Sequence, residues 1–541
     1  MSVSHTDKAR KVNTSSLAKT ATMSKAGPTP SHSSDRPVRD NALATLSTPR
    51  KVVLAGFLCL AQFLDTFANS SLFAAIPLIS VQLGISNSNS VWLISGYQLT
   101  FAALLLGSGR MSDLYNSKYV FLTGAAAIAG FSLGAGFAKA QVPLFILRAF
   151  MGVGAALTVP SALYLIIHMF PDPAEQSKAV AMFGGCGALG NVIGLLIGAF
   201  IVQWGTWPWL FYVFAMMGAV VFAVIAILLP SPHHFSALSN TERFKRLDLF
   251  GVFFVTGGLV LFIFGVTAGS VNGWGSARCL TPLIVSLFLL VGFFVWEAQL
   301  PEDIAAIPTS LWQVKNFTVL VVGSATMPYM WFGVVQLLFS WIWQNVYGWS
   351  PINTAVHFLP IGLLASALSF VAGPLQRNFP LKWVLCSAQS LALIGTILLT
   401  FGDSPQHYWP FIFPGLIIGT AGIATAYMVV NIAVFAVTPP EKAGVVGSIF
   451  NCFQQVGCAA GSAIITSIQT SVDSNHGGPS VFTGRRAGIW FQFGLLAIST
   501  ICVALFMRSD VSTTKKAAQG TENDLSIPEK KSSIDIHDDV V

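Results

Sequence analysis

Long apolar blocks separated by short polar segments make up most of this sequence of 541 residues. Each block is close to the length of about 20 residues that an α-helix needs to cross the hydrocarbon core of a bilayer. The blocks form groups of six, two and six, at residues 52–80, 90–107, 119–138, 142–167, 179–202, 209–229, 249–269, 280–296, 317–343, 355–374, 383–401, 410–437, 443–468 and 488–507. The pattern predicts an all-α membrane protein with fourteen transmembrane helices.

Polar stretches divide this pattern into five predicted regions. Residues 1–51 are rich in Ser and Thr, and residues 508–541 are also polar, so we expect a disordered tail at each end. The two groups of six helices occupy residues 52–229 and 317–507. Residues 230–316 form a linker that contains the two remaining helices.

Charged residues are scarce, and their placement predicts the orientation. They make up 9% of the sequence, against about 25% in an ordinary soluble domain. The formal net charge of +7 does not indicate a nucleic-acid partner, because the basic residues lie in the amino-terminal tail and in short loops. Loops on the side of the two tails hold ten Lys or Arg, and the other loops hold four. The positive-inside rule therefore predicts that both tails are cytosolic.

One segment matches an enzyme motif. The run GFSLG, Gly130–Gly134, fits the nucleophile-elbow pattern G-x-S-x-G. That motif requires a strand, a sharp turn and a helix, whereas this run lies inside a predicted membrane helix, where small residues favour helix packing. The sequence contains no phosphate-binding loop and no H-E-x-x-H pair. We therefore expect neither an enzyme nor an ATP-driven pump, and no bound cofactor or metal.

The polar run GSGRMSDLYNSKYVFL, Gly107–Leu122, separates the second and third predicted helices. Within it Gly109, Asp113 and Lys118 occupy the first, fifth and tenth positions of the signature G-x-L-A-D-[RK]-x-G-[RK]-[RK]. Taken alone, these charges also fit a positive-inside anchor. The order of the residues, however, resembles the signature of the major facilitator superfamily.

Two further segments carry the same resemblance. The run FLDTFANSSLFAAIPLI, from Phe63, resembles the first-helix motif L-D-x-T-x-x-N-x-A-L-P of the fourteen-helix drug:proton antiporters, with Asp65, Asn69 and Pro77 in register. The run RAFMGVGAA, which begins at Arg148, is similar to the fourth-helix pattern R-x-x-Q-G-x-G. Together these segments resemble the fungal aminotriazole-resistance-like efflux carriers.

The resemblance implies a specific fold and mode of action. The fold would be two six-helix halves, each of two inverted three-helix repeats, with two extra helices linking the halves. Transport would proceed by alternating access through a central cavity, with a proton gradient as the energy source. In this family the loop that holds Gly109, Asp113 and Lys118 is thought to latch one half to the other, so these residues are predicted to form a conformational latch.

Glycines recur in the fifth predicted helix, GALGNVIGLLIGAF. Gly190, Gly194 and Gly198 are spaced by four residues and therefore share one helix face, where they allow a neighbouring helix to approach closely. The antiporter signature has Gly-Pro and Gly-Gly at places where this chain has Asn191 and Leu195 after the glycines. These departures leave open an alternative, the import or facilitated movement of a small polar solute.

Asp65 and Arg148 are the two ionisable residues that the sequence places deep in apolar blocks. Each buried charge costs about 2.5–3.5 kcal/mol or more in a membrane helix, so such residues indicate function. Burial favours a neutral carboxyl group, whereas a nearby guanidinium favours the carboxylate. The pair is therefore predicted to switch protonation as the cavity opens to alternate sides.

Polar residues near Asp65 are candidates for the transport path. Asn69 and Gln62 share its helix face, and both remain consistent with either a cargo path or a hydrogen-bond cluster that only joins helices. Gln336 lies among aromatic residues in MPYMWFGVVQLLFSWIWQNVYGW, a mixture that suits bulky amphipathic compounds. We take it as a further candidate cavity residue.

These observations predict a monomeric, proton-coupled exporter of a small organic compound, with the lipid bilayer and the cargo as its partners. The cargo would be a xenobiotic or a secondary metabolite, including amphipathic glycolipids. The plasma membrane is the expected location, with the vacuolar membrane as the alternative. A hypothesis of another class is a transporter-like receptor that signals through its Ser/Thr-rich tails.

Overall fold

The computed structural model describes residues 43, 45–230, 248–301, 305, 307, 309–369, 375, 378–438 and 443–508. Within these residues the regular structure is helical. The helices are α1 Thr48–Phe73, α2 Ile76–Leu83, α3 Asn87–Ser90, α4 Trp92–Leu114, α5 Ser117–Gly136, α6 Gln141–Met169, α7 Pro173–Trp204, α8 Pro208–Leu228, α9 Leu249–Asn272, α10 Ala277–Gln299, α11 Thr309–Gln313, α12 Thr326–Asn345, α13 Pro351–Ser369, α14 Leu381–Leu399, α15 Phe413–Val437, α16 Ala443–Asp473 and α17 Thr483–Phe506. A π-helical segment, Val319–Ala325, leads into α12, and a second one, Tyr408–Ile412, leads into α15.

Each predicted span contains a helix, which confirms the all-α fold class. Eleven helices of the described residues are long and apolar enough to cross a membrane. Helices α4, α12 and α16 fall outside that group, and α4 is sufficiently apolar only over Trp92–Leu105. The total of fourteen spans and the five-region division remain predictions. Most of the two predicted tails and residues 231–247 of the predicted linker lie outside the described residues, whereas residues 48–51 of the predicted amino-terminal tail form the first turn of α1.

The first predicted span is broken in the structure. Helix α1 ends at Phe73 and α2 begins at Ile76. Pro77 lies in the first turn of α2, where a backbone N–H has no acceptor within the helix, so the lack of this N–H in proline is tolerated. A proline cannot, however, continue the hydrogen-bond pattern of α1, so α1 ends before it. Gly84 ends α2 with a φ of 64°, in the left-handed region that glycine adopts readily.

The predicted loop between the second and third spans is also different in the structure. Helix α4 continues to Leu114, and α5 begins at Ser117, so the charged run is mostly helical. Asn116 caps α5 by accepting a hydrogen bond from the backbone N–H of Lys118 (3.0 Å). The run Gly130–Gly134 lies inside α5, without the strand and sharp turn of a nucleophile elbow.

The helices form two packed groups. In the first group α1 packs on α7, and α5 packs on α6 and α8; in the second, α16 packs on α12 and α17. The main contacts between the groups join α4 to α16 and α7 to α13. Helices α9 and α10 pack on each other, and α9 also contacts α4 and α16.

The outer surface of the bundle is apolar. Large hydrophobic side chains such as Ile227, Phe250 and Phe288 are exposed, whereas many Ser, Thr and Gln side chains are buried between helices. This distribution suits a bundle surrounded by lipid, where exposed apolar groups meet hydrocarbon and polar groups face the interior. The chain is therefore an integral membrane protein that crosses the bilayer several times.

Candidate functional site

The centre of the first helix group holds a cluster of four polar side chains, Asp65, Asn69, Tyr97 and Arg148. Asp65 and Arg148 are both buried. The hydroxyl group of Tyr97 donates a hydrogen bond to Asp65 Oδ1 (2.9 Å). Arg148 Nη2 donates to Asn69 Oδ1 (3.3 Å), and Asn69 Nδ2 donates to the backbone oxygen of Asp65 (3.1 Å). The cluster thus joins α1, α4 and α6.

Tyr97 lies between the two ionisable groups. The guanidinium carbon of Arg148 is 4.7 Å from the centre of the Tyr97 ring, within the range of a cation–π interaction. Among the described side chains, Asp65 bonds directly to Tyr97 and makes no direct ion pair with Arg148. The carboxyl group can therefore gain or lose a proton while the guanidinium is held separately by Asn69 and by Leu93 O (2.9 Å).

Small residues on α7 set the position of α1. A Cβ atom on Gly190 would lie 2.5 Å from Phe63 O, and one on Gly198 would lie 2.7 Å from Ser71 Cα. Gly194 lies directly against Ser70, and its Cβ would be 2.9 Å from Phe67 Cα. These glycines therefore allow the two helices to approach closely, which fixes the face of α1 that carries Asp65.

Hydrogen bonds reinforce the contact between α1 and α7. Thr66 Oγ1 donates to Gly187 O (2.8 Å), and Ser70 Oγ donates to Gly190 O (3.3 Å). Both hydroxyl groups are adjacent to the cluster, because they lie one residue from Asp65 and Asn69 in the sequence. The position of the carboxyl group thus depends on the packing of α7.

A similar close contact positions Tyr97 and Arg148. Gly152 of α6 lies directly against the backbone of Tyr97 in α4, with no room for a Cβ atom. Thr100 Oγ1 donates to Ala149 O (2.7 Å), the residue that follows Arg148. Gly154 makes the corresponding close approach to α5 at Ile128. The fourth-helix segment thus supplies both the guanidinium and the small residues that hold it near α4.

The remaining predicted path residues do not share one open cavity with the cluster. Gln62 is half-buried and packs against Gly187. Gln336 is buried and lines a cavity of about 10 Å³ with Asn191 and Phe358, barely enough space for one water molecule. At the end of α1, Gln344 Nε2 donates to Ala74 O (3.0 Å). These two contacts join α7 to α12 and α13, and the end of α1 to α12, in the described conformation.

The predicted latch residues are placed at the ends of helices. A Cβ atom on Gly109 would lie 3.0 Å from Ser448 Oγ of α16, so this end of α4 touches the second helix group. Lys118 is buried and its Nζ donates to Ala226 O (3.0 Å) and Leu229 O (2.5 Å) at the end of α8. A cation is favourable there because the last carbonyl groups of a helix lack partners. The side chain of Asp113 lies outside the described part of the structure.

Buried ionisable residues also occur at the ends of helices. Arg485, assigned to a loop from the sequence, lies in the first turn of α17 and is fully buried. Its Nη1 donates to Pro479 O (2.8 Å) and Val481 O (3.1 Å), and its Cζ lies 4.8 Å from the centre of the Trp341 ring. Asp473, at the end of α16, is also buried. The second helix group therefore has buried charges of its own.

A tyrosine beside these charges is held in its neutral form. Burial, with Asp403 nearby, raises the pKa of Tyr347 to about 12. Its hydroxyl group donates a hydrogen bond to Gly402 O (3.3 Å). Arg486 pairs with Asp403 through Nη2 and Oδ2 (3.1 Å) at this end of the bundle. These contacts join the ends of α12, α14 and α17.

A membrane bundle of two helix groups with buried ionisable and amide side chains has the architecture of a solute transporter. The sequence model of the Major Facilitator Superfamily matches residues 58–462. The chain belongs to this superfamily. Its fold is also that of a bacterial homologue of the human lysosomal transporter Spinster, in an inward-facing and unoccupied conformation. That match has a TM-score of 0.60 and 14% identity, and it covers 88% of this chain and 99% of the other.

Several relatives have names that describe transport or resistance. The puromycin resistance protein pur8 of Streptomyces alboniger is 30% identical over 454 residues, 82% of this chain and 88% of the relative. The multidrug transporter mfsC of Aspergillus fumigatus is 29% identical and covers 82% of this chain and 84% of its own length. A low affinity ammonium transporter of Saccharomyces cerevisiae is 25% identical, over 85% of this chain and 89% of the relative.

Proposed function

We propose that this protein exports small organic compounds from the cell, or from the cytosol into a vacuole, in exchange for protons. The relatives named for puromycin resistance and multidrug transport support the direction of transport. The observation that carries proton coupling is the buried Asp65 carboxyl group, which is bonded to Tyr97 and separated from Arg148. Export would protect the cell from a xenobiotic or release one of its own secondary metabolites.

The cluster suggests how a proton drives the conformational change. With Asp65 ionised, its charge is balanced by the Tyr97 hydroxyl group and the nearby Arg148 guanidinium. A proton that enters from the outer side neutralises Asp65 and removes the electrostatic attraction that holds α1 towards α6. The helix groups then rearrange, and Asp65 releases its proton on the inner side. Cargo and proton bind to alternate states of the protein, so neither crosses without the other.

Of the predicted latch residues, Gly109 fits this cycle as part of a contact that must break. Gly109 meets Ser448 where α4 touches α16, and Lys118 ties α5 to the end of α8. In this proposal the first contact separates as the inner side opens, whereas the second stays intact within its helix group.

The direct test compares small molecules inside and outside cells that have or lack the protein, because it presumes neither a cargo nor a direction. We expect at least one organic compound to accumulate inside the cells and to decline outside them when the protein is absent. Restoring the wild-type protein should reverse both changes. A compound that instead persists outside when the protein is lost would overturn export.

A second candidate function is the import of a small polar solute. The ammonium transporter among the relatives favours it, as do Asn191 and Leu195, which depart from the antiporter signature. The same comparison separates the two candidates, because an importer leaves its solute outside when it is lost. Growth on a limiting nitrogen source provides an independent measurement for ammonium.

A further inference from the structure

A row of buried carboxamide side chains lies where the two helix groups meet. Gln98 of α4 and Gln454 and Gln455 of α16 are all buried. Gln98 Nε2 donates a hydrogen bond to Cys458 Sγ (3.0 Å), across the contact between the helix groups. Gln454 and Gln455 precede Cys458 by about one turn of α16 and thus lie beside this contact.

Each of these amides has a polar atom without a hydrogen-bond partner. Gln98 Oε1, Gln454 Nε2 and Gln455 Oε1 are buried and unpaired. The one bond that Gln98 makes is to sulfur, which is a weak acceptor. Buried polar atoms are normally satisfied, and an unpaired one destabilises the structure. The atoms are therefore suited to partners that are present in another conformation.

The row continues across the second helix group. Gly333 of α12 faces α16, because its Cβ atom would lie 2.7 Å from Cys458 Sγ. One turn further along α12, Gln336 lines the small cavity that it shares with Asn191 of α7. The row thus reaches both main contacts between the helix groups, α4 with α16 and α7 with α13. These contacts must separate when the cavity opens, and separation exposes the amides to water or cargo.

The described side chains of this row, Gln98, Asn191, Gln336, Gln454 and Gln455, carry no formal charge. A carboxamide offers both a donor and an acceptor, so it can replace the water bound to a hydroxyl, carbonyl or amide group. It cannot neutralise a full charge, and a charged cargo would lose its hydration without an opposite charge in return. Asp65 is not a member of this row, because its carboxyl group is bonded to Tyr97.

We propose that this carboxamide row binds the cargo, and that the cargo is an uncharged compound with several hydrogen-bonding groups. The inference rests on the proposed proton-coupled export. It adds a physical consequence: exchanging a neutral molecule for a proton moves one net charge per cycle. An electrical potential should therefore drive transport even without a pH gradient, whereas one-for-one exchange of a monovalent cation for a proton is insensitive to potential.

The test uses the full-length protein in liposomes with two probes. Cycloheximide is uncharged and carries hydroxyl, ketone and imide groups, whereas rhodamine 6G is a permanent lipophilic cation. Uptake or release is measured under a pH gradient at zero potential, and under a potassium diffusion potential without a pH gradient. We expect each gradient to drive cycloheximide, with little transport of rhodamine 6G.

Variants test the site itself. Gln98→Leu and Gln455→Leu should each raise the cycloheximide concentration for half-maximal flux about 5- to 10-fold, the effect of losing one hydrogen bond. The matched control is Gln389→Leu, a buried glutamine of α14 whose Oε1 is also unpaired but whose Nε2 donates to Ser324 (3.4 Å) and Ser499 (3.2 Å) within the second helix group. In this control the cycloheximide concentration for half-maximal flux should stay at the wild-type value. Protection of the wild-type protein against thermal unfolding by cycloheximide provides a measurement that needs no variant.

Each outcome decides between the two proposals. Proton-driven transport of rhodamine 6G alone overturns the uncharged cargo and leaves proton-coupled export standing. Cycloheximide transport that ignores the potential moves no net charge, so it leaves the uncharged cargo standing and overturns its one-for-one exchange with a proton. Cycloheximide transport with unchanged affinity in both row variants overturns the site. Transport of neither probe under either gradient counts against this inference, while the comparison of cells with and without the protein tests export independently.

Discussion

The contact between α7 and α1 gives a prediction whose size follows from the structure. Gly194 lies in the middle of the three spaced glycines and packs directly against Ser70. In Gly194→Ala, the added methyl group would lie 2.9 Å from Phe67 Cα and 3.1 Å from Phe67 O. Neither is the end of a flexible side chain, so the helices themselves must move apart.

The required movement can be worked out from these distances. Ordinary contacts between carbon atoms are about 3.5–4.0 Å, so α7 must shift from α1 by about 0.6–1 Å near Gly194. Overpacking of this kind costs about 1–3 kcal/mol, and loss of the Ser70 hydrogen bond to Gly190 adds about 1 kcal/mol. Together these costs are about 2–4 kcal/mol, and the unfolding entropy of a chain of this length is about 1 kcal/mol/K, so we expect Gly194→Ala to lower the melting temperature by about 2–4 °C.

The assay is thermal unfolding of the detergent-solubilised protein at a fixed heating rate, with proton-driven flux measured in parallel. Gly185→Ala is the matched control, since it lies on the same helix and has no atom within 4 Å of the added methyl group. Alanine is the better helix former, so the control should melt at the wild-type temperature or slightly above it. If Gly194→Ala and Gly185→Ala have the same melting temperature and flux, the packing argument is wrong.

Three further predictions concern the central cluster, the helix ends and the tails. In Arg148→Lys, the lysine cannot make both the Leu93 and the Asn69 contacts. We therefore expect the protein to fold but its proton-driven flux to fall more than about 10-fold, and normal flux would contradict this. Lys118→Met removes the donor to Ala226 O and Leu229 O and should destabilise the protein by about 1 kcal/mol, which a lower melting temperature would show. The control Lys118→Arg keeps a cationic donor and should melt near the wild-type temperature. Deleting residues 1–41 and 509–541 should leave flux intact in a transporter, and its loss would favour a receptor that acts through its tails.

Much of the fold was predictable because apolar length and charge scarcity are properties of local sequence. The helix positions followed from the apolar blocks, and Asp65 and Arg148 were recognisable as isolated charges within them. The break between α1 and α2 was marked by Pro77, but apolar residues continue across it and conceal the end of α1. The length of α4 was underestimated because polar residues were taken to end the helix at Gly107, although helices extend beyond the apolar region of a membrane.

The site was predictable only in part, since it depends on contacts between distant segments. Nothing in the sequence distinguishes Tyr97 from a tyrosine that only packs, and its role appears when α4 places it between Asp65 and Arg148. Arg485 was assigned to a loop because α17 begins five residues before the apolar block predicted from Gly488. Gln454 and Cys458 are spaced by four residues on one helix face, a signal that could have identified the polar side of α16.

The most direct test of the account measures proton movement in liposomes that contain either the wild-type protein or Asp65→Asn, with the compound that cells retain when the protein is absent. The wild-type protein should move protons in the direction opposite to the compound. Asp65→Asn should remain folded and exchange the compound across the membrane, but a pH gradient should no longer drive it, because an amide cannot carry the proton. Wild-type proton-driven flux in Asp65→Asn would contradict the central role of this carboxyl group.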